Sequence, residues 1–196
     1  VYLVYWKVQP LEAAIFFLCL TIFHWGQGDR FITAQLHGAR YLVRSKVLSI
    51  LHILLRGSIP VLLPGFLSHK TYRDVIEALV CSGGKISYQA QWITDHSFYF
   101  LLVPLILFSA YTLSSLFRVD KKELGAFRVD LLEGIILFIW FLIIPPLWAI
   151  GCYFTLWHSL RHTLRILWTD CEGSQLLESI KFIKLKLRWL QLTSFM

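Results

Sequence analysis

Five apolar runs divide this sequence, and polar stretches separate most of them. The runs cover residues 10–25, 43–67, 98–117, 131–144 and 147–167. Because a helix needs about 20 residues to cross a bilayer, the first and fourth runs must use interfacial residues at their ends. The pattern predicts five transmembrane helices. Residues 1–6 are also largely apolar, and we expect them to be the remnant of an earlier helix.

Two adjacent prolines, Pro145 and Pro146, separate the last two runs. As one helix, residues 131–167 would be about 55 Å long at 1.5 Å per residue, far more than one bilayer. Proline also interrupts helical hydrogen bonding. We therefore predict a tight turn between two antiparallel helices. The predicted fold is an all-α, polytopic transmembrane bundle, with residues 1–196 forming one integral-membrane domain whose N-terminal helix or helices are missing.

The composition supports membrane insertion. The chain is 57% hydrophobic and only 16% charged, with a mean hydropathy of +0.61, outside the range of ordinary soluble domains. The net charge of +7 comes from basic residues between the apolar runs and in the tail, so it favours a multi-pass protein of the cell membrane and not nucleic-acid binding. The four cysteines show no metal or redox spacing, and we assign them no role.

The basic residues also predict an orientation. When alternate connections are placed on opposite sides, fourteen of the nineteen lysines and arginines fall on one side and four on the other, with Arg56 inside a run. The first side is therefore predicted to be cytoplasmic. At helical rise, His24 lies about 21 Å below Pro10, and His158 and His162 lie about 18 and 24 Å below Pro146. The three histidines reach a similar depth.

A metal site is the chemistry that these histidines favour. His158 and His162 share one helix face at i, i+4 spacing, and His24 is predicted to be level with them. Imidazole ligands suit Fe(II), Zn(II) or Cu(II). Asp29 and Glu133 are candidates to orient a ligand imidazole by hydrogen bonding. The alternative is that all three are ordinary histidines at helix ends, with Gly26 and Gly28 ending the first helix.

Three further features have two interpretations each. His52 is either a fourth ligand or a buried histidine with a hydrogen-bond partner, and we favour the second. Arg56-Gly57 with Pro60 and Pro64 breaks an apolar run, either as a packing feature that allows a kink and close helix approach or as a functional site. The aromatic residues of the last two runs either line a pocket for a flat conjugated lipid or face the bilayer. His37, His69 and His96 are expected to be solvated.

These motifs, taken in order, resemble the Brp/Blh family of membrane-bound beta-carotene 15,15'-dioxygenases. The similar segments are Phe23-His24-Trp25-Gly26 followed by Asp29, Arg56-Gly57 followed by Pro60 and Pro64, and the stretch from Glu133 to the end of Trp157-His158-Ser159-Leu160-Arg161-His162. The last motif is the most specific. Together the segments extend over roughly residues 10–165.

The resemblance implies an enzyme that uses non-haem Fe(2+) and O2 to cut the central double bond of beta-carotene, or of a related carotenoid, into two molecules of retinal. It implies that His24, His158 and His162 are the metal ligands. The family also has a further histidine in an earlier G-x-x-H-G-x-x-D type motif, which is absent here, so this chain is expected to lack one ligand and to be inactive alone. Two other functions stay open: a non-catalytic carotenoid- or retinal-binding membrane protein, and a haem-carrying electron-transfer protein.

Overall fold

The computed structural model describes residues 2–80 and 95–169, and its regular structure over these two ranges is helical, without strands. The helices are α1 (Tyr2–Val8), α2 (Pro10–Leu36), α3 (Tyr41–Arg44), α4 (Lys46–Leu67), α5 (His69–Val80), α6 (Phe98–Leu116), α7 (Leu124–Ile143), α8 (Pro146–Cys152) and α9 (Ser159–Thr169). A 3-10 turn (Lys121–Glu123) precedes α7, and a π-helical turn (Tyr153–His158) joins α8 to α9. The predicted all-α class is confirmed.

Helices α2, α4 and α6 are long and apolar enough to cross a membrane, judged by length and composition over the described residues. The fourth predicted run lies in α7, which is 20 residues long and carries Arg128, Asp130 and Glu133. The fifth run is helical from Pro146 to Thr169. The chain is therefore a helical membrane protein.

The predicted end of the first helix is wrong. Helix α2 continues past Trp25 for eleven residues to Leu36, and the chain then turns through Gly38, whose φ of 70° favours glycine. Gly26 lies inside this helix, and its lack of a side chain allows α4 to approach closely. Asp29, which looks like a loop charge in the sequence, is a buried residue of α2.

Helix α4 is the central helix and packs against α2, α6 and α7. It begins at Lys46, three residues later than the predicted run, because Ser45 caps it by accepting a hydrogen bond from the Leu48 amide at 3.3 Å. The helix runs without interruption through Pro60 and Pro64. These prolines therefore do not break it.

The last two long segments form the predicted antiparallel pair. The Trp140 indole donates to the Ala149 carbonyl at 3.3 Å, and the rings of Phe141 and Tyr153 lie 5.6 Å apart. Farther from the Pro145-Pro146 turn, the Arg161 guanidinium lies 2.7 Å from Glu133. This arrangement carries Glu133 and Arg161 to the same level.

Arg44 joins two connections that the sequence places on the same side. Its guanidinium lies 2.9 Å from Glu123 and 3.1 Å from Asp120. The α3 region and the connection before α7 therefore meet at one end of the bundle, as the distribution of basic residues predicts.

Helix α5 is missing from the predicted elements. Its residues Thr71, Tyr72, Val75 and Ile76 recur at i, i+1, i+4 and i+5, which is the pattern of one helix face, while Arg73, Asp74 and Glu77 make the rest polar. Cys81 and Cys171 lie outside the described residues, and Cys19 and Cys152 are free thiols.

Candidate metal centre and apolar cavity

His24 is positioned by a close crossing of α2 and α4. A Cβ atom on Gly26 would lie 1.9 Å from the Ile53 carbonyl oxygen, and one on Gly57 would lie 1.8 Å from the Ile22 carbonyl oxygen. Only glycine permits such an approach. The Gly26–Ile53 and Gly57–Ile22 contacts are reciprocal and fix an antiparallel register of α2 and α4. His24 lies midway between these contacts on α2, at the level of Leu55 on α4.

The three histidines predicted as ligands lie together. The ring centroids of His24 and His158 are 5.8 Å apart, those of His24 and His162 are 6.4 Å apart, and those of His158 and His162 are 6.1 Å apart. Two separate helices thus supply one cluster of imidazoles.

A π-helical turn aligns this cluster with the residues before it. Pro146, Ile150, Phe154, His158 and His162 follow at intervals of four. In an α-helix with 3.6 residues per turn such a row rotates by about 40° at each step. The π turn over Tyr153–His158 has more residues per turn and reverses part of this rotation. The row therefore keeps close to one face of the segment.

A small cavity of about 10 Å³ adjoins the histidines. Its wall also includes Gly28, Asp29, Arg161 and Arg165. That size suits one water molecule or one ion and is far too small for a porphyrin. The wall thus combines imidazole nitrogens with two guanidinium groups and the Asp29 carboxylate.

The fit of the histidines to a metal is close but incomplete. Nitrogens about 2.1 Å from one ion place imidazole centroids roughly 5 to 5.5 Å apart, so the observed rings are somewhat too far apart. Accordingly, the described part of the chain contains no group of three donor residues already arranged around a metal position. The donor types suit Fe(II).

Asp29 and Glu133 do not contact the three histidines directly. They hold Arg161, which lies 3.5 Å from Asp29 and 2.7 Å from Glu133. Trp157 donates its indole N–H to Asp29 at 3.3 Å, and the Arg161 guanidinium lies 4.3 Å above the Trp157 ring. These contacts fix the helix that carries His158 and His162 against α2.

A second buried cluster surrounds Asp130, which the sequence analysis does not single out. Asp130 accepts hydrogen bonds from Arg56 at 2.7 Å and from Tyr41 at 3.0 Å, and also from the hydroxyl of Tyr111. His52 Nε2 lies 3.0 Å from the same carboxylate. The structure thus places His52 as a buried, hydrogen-bonded residue. Arg56 is paired inside the bundle and does not reach toward the surface.

The expectation that His37 is solvated is wrong. Its side chain is only 10% exposed and lies 3.7 Å from Glu133. Burial lowers the pKa of its imidazole below the ordinary value of 6.5 and outweighs the opposite effect of the Glu133 carboxylate. His69, in contrast, is exposed.

A large apolar cavity of about 530 Å³ reaches His24. Residues of α2, α4, α5, α8 and the π turn form its wall: Phe17, Leu18, Leu20, Thr21, His24, Trp25, Pro60, Val61, Pro64, Thr71, Tyr72, Val75, Ile76, Pro146, Leu147, Ile150 and Phe154. Tyr72 bounds it near Gly65, since a Cβ on Gly65 would lie 3.3 Å from the Tyr72 ring. Gly65 is ten residues beyond Leu55, so this end is about 15 Å along α4 from the level of His24.

Comparisons with known proteins place the chain in a family. The profile of the family described as Beta-carotene 15,15'-dioxygenase matches residues 1–196. A curated relative, the probable beta-carotene 15,15'-dioxygenase Blh of Halobacterium salinarum, is 32% identical over an alignment of 171 residues, and the match covers 84% of this chain and 47% of the relative. The chain thus spans about half the length of that relative, and no solved structure matches it significantly. On these matches, the chain belongs to the beta-carotene 15,15'-dioxygenase family.

Proposed function

We propose that this chain forms part of a membrane enzyme that uses Fe(2+) and O2 to cut the central double bond of beta-carotene or a related carotenoid, giving retinal. In the net reaction the central C=C bond and the O–O bond are replaced by two C=O bonds, so no external reductant is consumed. The observation that carries this proposal is the apolar cavity that ends beside a cluster of three histidines.

The length of the cavity supports a central position of cleavage. An extended beta-carotene molecule is about as long as the hydrocarbon core of a bilayer is thick, roughly 30 Å. Half of the molecule therefore matches the 15 Å or so between the level of His24 and that of Gly65. With an end ring near Gly65, the central double bond lies beside His24.

The residues of the chain have separable roles in this reaction. His24, His158 and His162 are the proposed ligands, and Fe(2+) bound by them supplies the one-electron chemistry toward O2 that side chains lack. Phe17, Trp25 and the other apolar wall residues bind the polyene and exclude water. Arg161, held by Asp29 and Glu133, fixes the helix from which two of the ligands come.

The proposal is tested with the full-length protein that contains this chain, expressed in cells that make beta-carotene. We expect retinal to accumulate and iron to copurify, and we expect His158→Ala to abolish both. His69→Ala, at an exposed position on α5, is the matched control and should leave both unchanged.

Two outcomes would contradict the proposal. If carotenoid copurifies without product and His158→Ala changes nothing, the protein is a carotenoid-binding protein. If the purified protein shows a Soret absorption band, it carries haem.

A further inference from the structure

Among the residues that the structure describes, Tyr72 contributes to the wall of the apolar cavity a hydroxyl group with no hydrogen-bond partner. Of the polar residues in its wall, Thr21 donates its hydroxyl to the Phe17 carbonyl at 2.8 Å, and Thr71 is exposed. Tyr72 is half-buried, and its hydroxyl makes no hydrogen bond within residues 2–80 and 95–169. This hydroxyl is not one of the fully buried polar atoms that lack a partner, so it is accessible and can pair with a ligand in the cavity.

The position of Tyr72 is set by packing against α4 and α6. Its ring lies against Gly65 of α4, and the centroid of the Phe100 ring in α6 is 5.5 Å away. Burial raises the pKa of the phenol to about 12, so the group is protonated at neutral pH and both donates and accepts. Tyr72 is thus a fixed polar group at the end of the cavity away from His24.

We propose that Tyr72 hydrogen-bonds to an oxygen substituent on the end ring of a bound carotenoid, so that this cavity accepts a ring-hydroxylated half-molecule in preference to a hydrocarbon one. The proposal rests on the proposed function for the placement of the substrate. The end ring of a half-molecule whose central bond lies beside His24 falls at the level of Gly65, where the Tyr72 ring packs. An apolar wall alone discriminates poorly against an added hydroxyl, whereas a hydrogen-bonding group selects for it.

The site also suits the chemistry of the membrane. Helix α5 has one apolar face toward the cavity and a polar remainder, as expected of a helix lying at the membrane surface. A ring hydroxyl prefers that boundary to the hydrocarbon interior. Tyr72 therefore lies where an oxygenated end ring is stable in a bilayer.

The test compares beta-carotene with its derivative hydroxylated on one ring, using the full-length protein in lipid nanodiscs. Dissociation constants come from quenching of tryptophan fluorescence, to which Trp25 in the cavity wall contributes. We expect Tyr72→Phe to weaken binding of the hydroxylated carotenoid about 5- to 10-fold, as expected for one lost hydrogen bond, and to leave beta-carotene binding unchanged. Tyr99→Phe, at an exposed tyrosine on α6, is the matched control and should change neither constant.

Product analysis separates this assignment from the proposed function. If Tyr72→Phe lowers affinity for the hydroxylated carotenoid but neither carotenoid is cleaved, the assignment of Tyr72 stands and the proposed reaction is wrong. If both are cleaved and Tyr72→Phe binds both as the wild type does, the assignment of Tyr72 is overturned.

Discussion

Gly26→Ala is expected to separate the two helices that build the candidate site. The new methyl carbon would lie 1.9 Å from the Ile53 carbonyl oxygen, whereas an ordinary contact begins at 3.4 Å. Helix α4 must therefore move by about 1.5 Å, because a backbone carbonyl cannot rotate away as a side chain can. Overpacking of this kind usually costs about 1–3 kcal/mol.

The loss should reach the upper part of that range or exceed it. A gap of only 0.5–1 Å already removes about a quarter to a half of the dispersion attraction across an interface. The displacement acts along the whole crossing of α2 and α4, so we expect a loss of about 2–4 kcal/mol. Gly57→Ala should cost a similar amount. The double variant should cost less than the sum, because the first methyl group already separates the helices.

The free energy of unfolding is measured by titrating the detergent-solubilised protein with sodium dodecyl sulfate and following helicity by circular dichroism. Gly28→Ala is the matched control, two residues along the same helix, where a Cβ meets nothing within 4 Å. It should be neutral or stabilise by about 0.5–1 kcal/mol, since alanine is the better helix former. If Gly26→Ala is as stable as Gly28→Ala, the close crossing is not required for stability.

Three further variants test the charged residues. Asp130→Asn should destabilise by about 3–5 kcal/mol in the same titration, because it leaves the buried Arg56 without its closest carboxylate; a loss below about 1 kcal/mol would contradict this. Arg161→Lys keeps the charge but not the paired contacts, and should weaken Fe(2+) binding about 10-fold, as measured by competition with a chelator; unchanged affinity would show that Arg161 does not orient the histidines. His37→Gln should reduce the pH dependence of stability. Burial lowers the pKa of His37 in the folded protein below 6.5. The contribution of neutral His37 to the free energy of unfolding is therefore present above pH 6.5 and is lost as the pH falls through the folded-state pKa. Parallel curves of unfolding free energy against pH for variant and wild type would refute this.

The sequence predicts the three-histidine cluster from two regular quantities. The distribution of lysine and arginine gives the direction of each helix, and the constant rise per residue gives the depth of each side chain. In the structure His24, His158 and His162 lie together, with ring centroids 5.8 to 6.4 Å apart. Whether they bind iron stays a prediction.

Other features depend on packing that a single sequence does not reveal. Gly26 has the same local sequence whether it ends a helix or allows another helix to approach, and only the contact with Ile53 distinguishes the two. His37 follows a helix end and is expected to be solvated, but a carboxylate and the bundle bury it. Asp130 directly precedes the fourth apolar run, and an acidic residue at that position in a membrane helix requires buried partners.

The π-helical turn over Tyr153–His158 has an evolutionary consequence. A π turn amounts to one extra residue inside an α-helix, so a single inserted codon is enough to create it and a single deletion is enough to remove it. Deleting Thr155 would remove one residue and the π turn together, and the two changes largely offset each other in the direction of His158 and His162. A homologue one residue shorter here, with an ordinary α-helix, would therefore keep its histidines close to the same face. Comparisons within the family should allow a gap of one residue in this segment when the histidines are aligned.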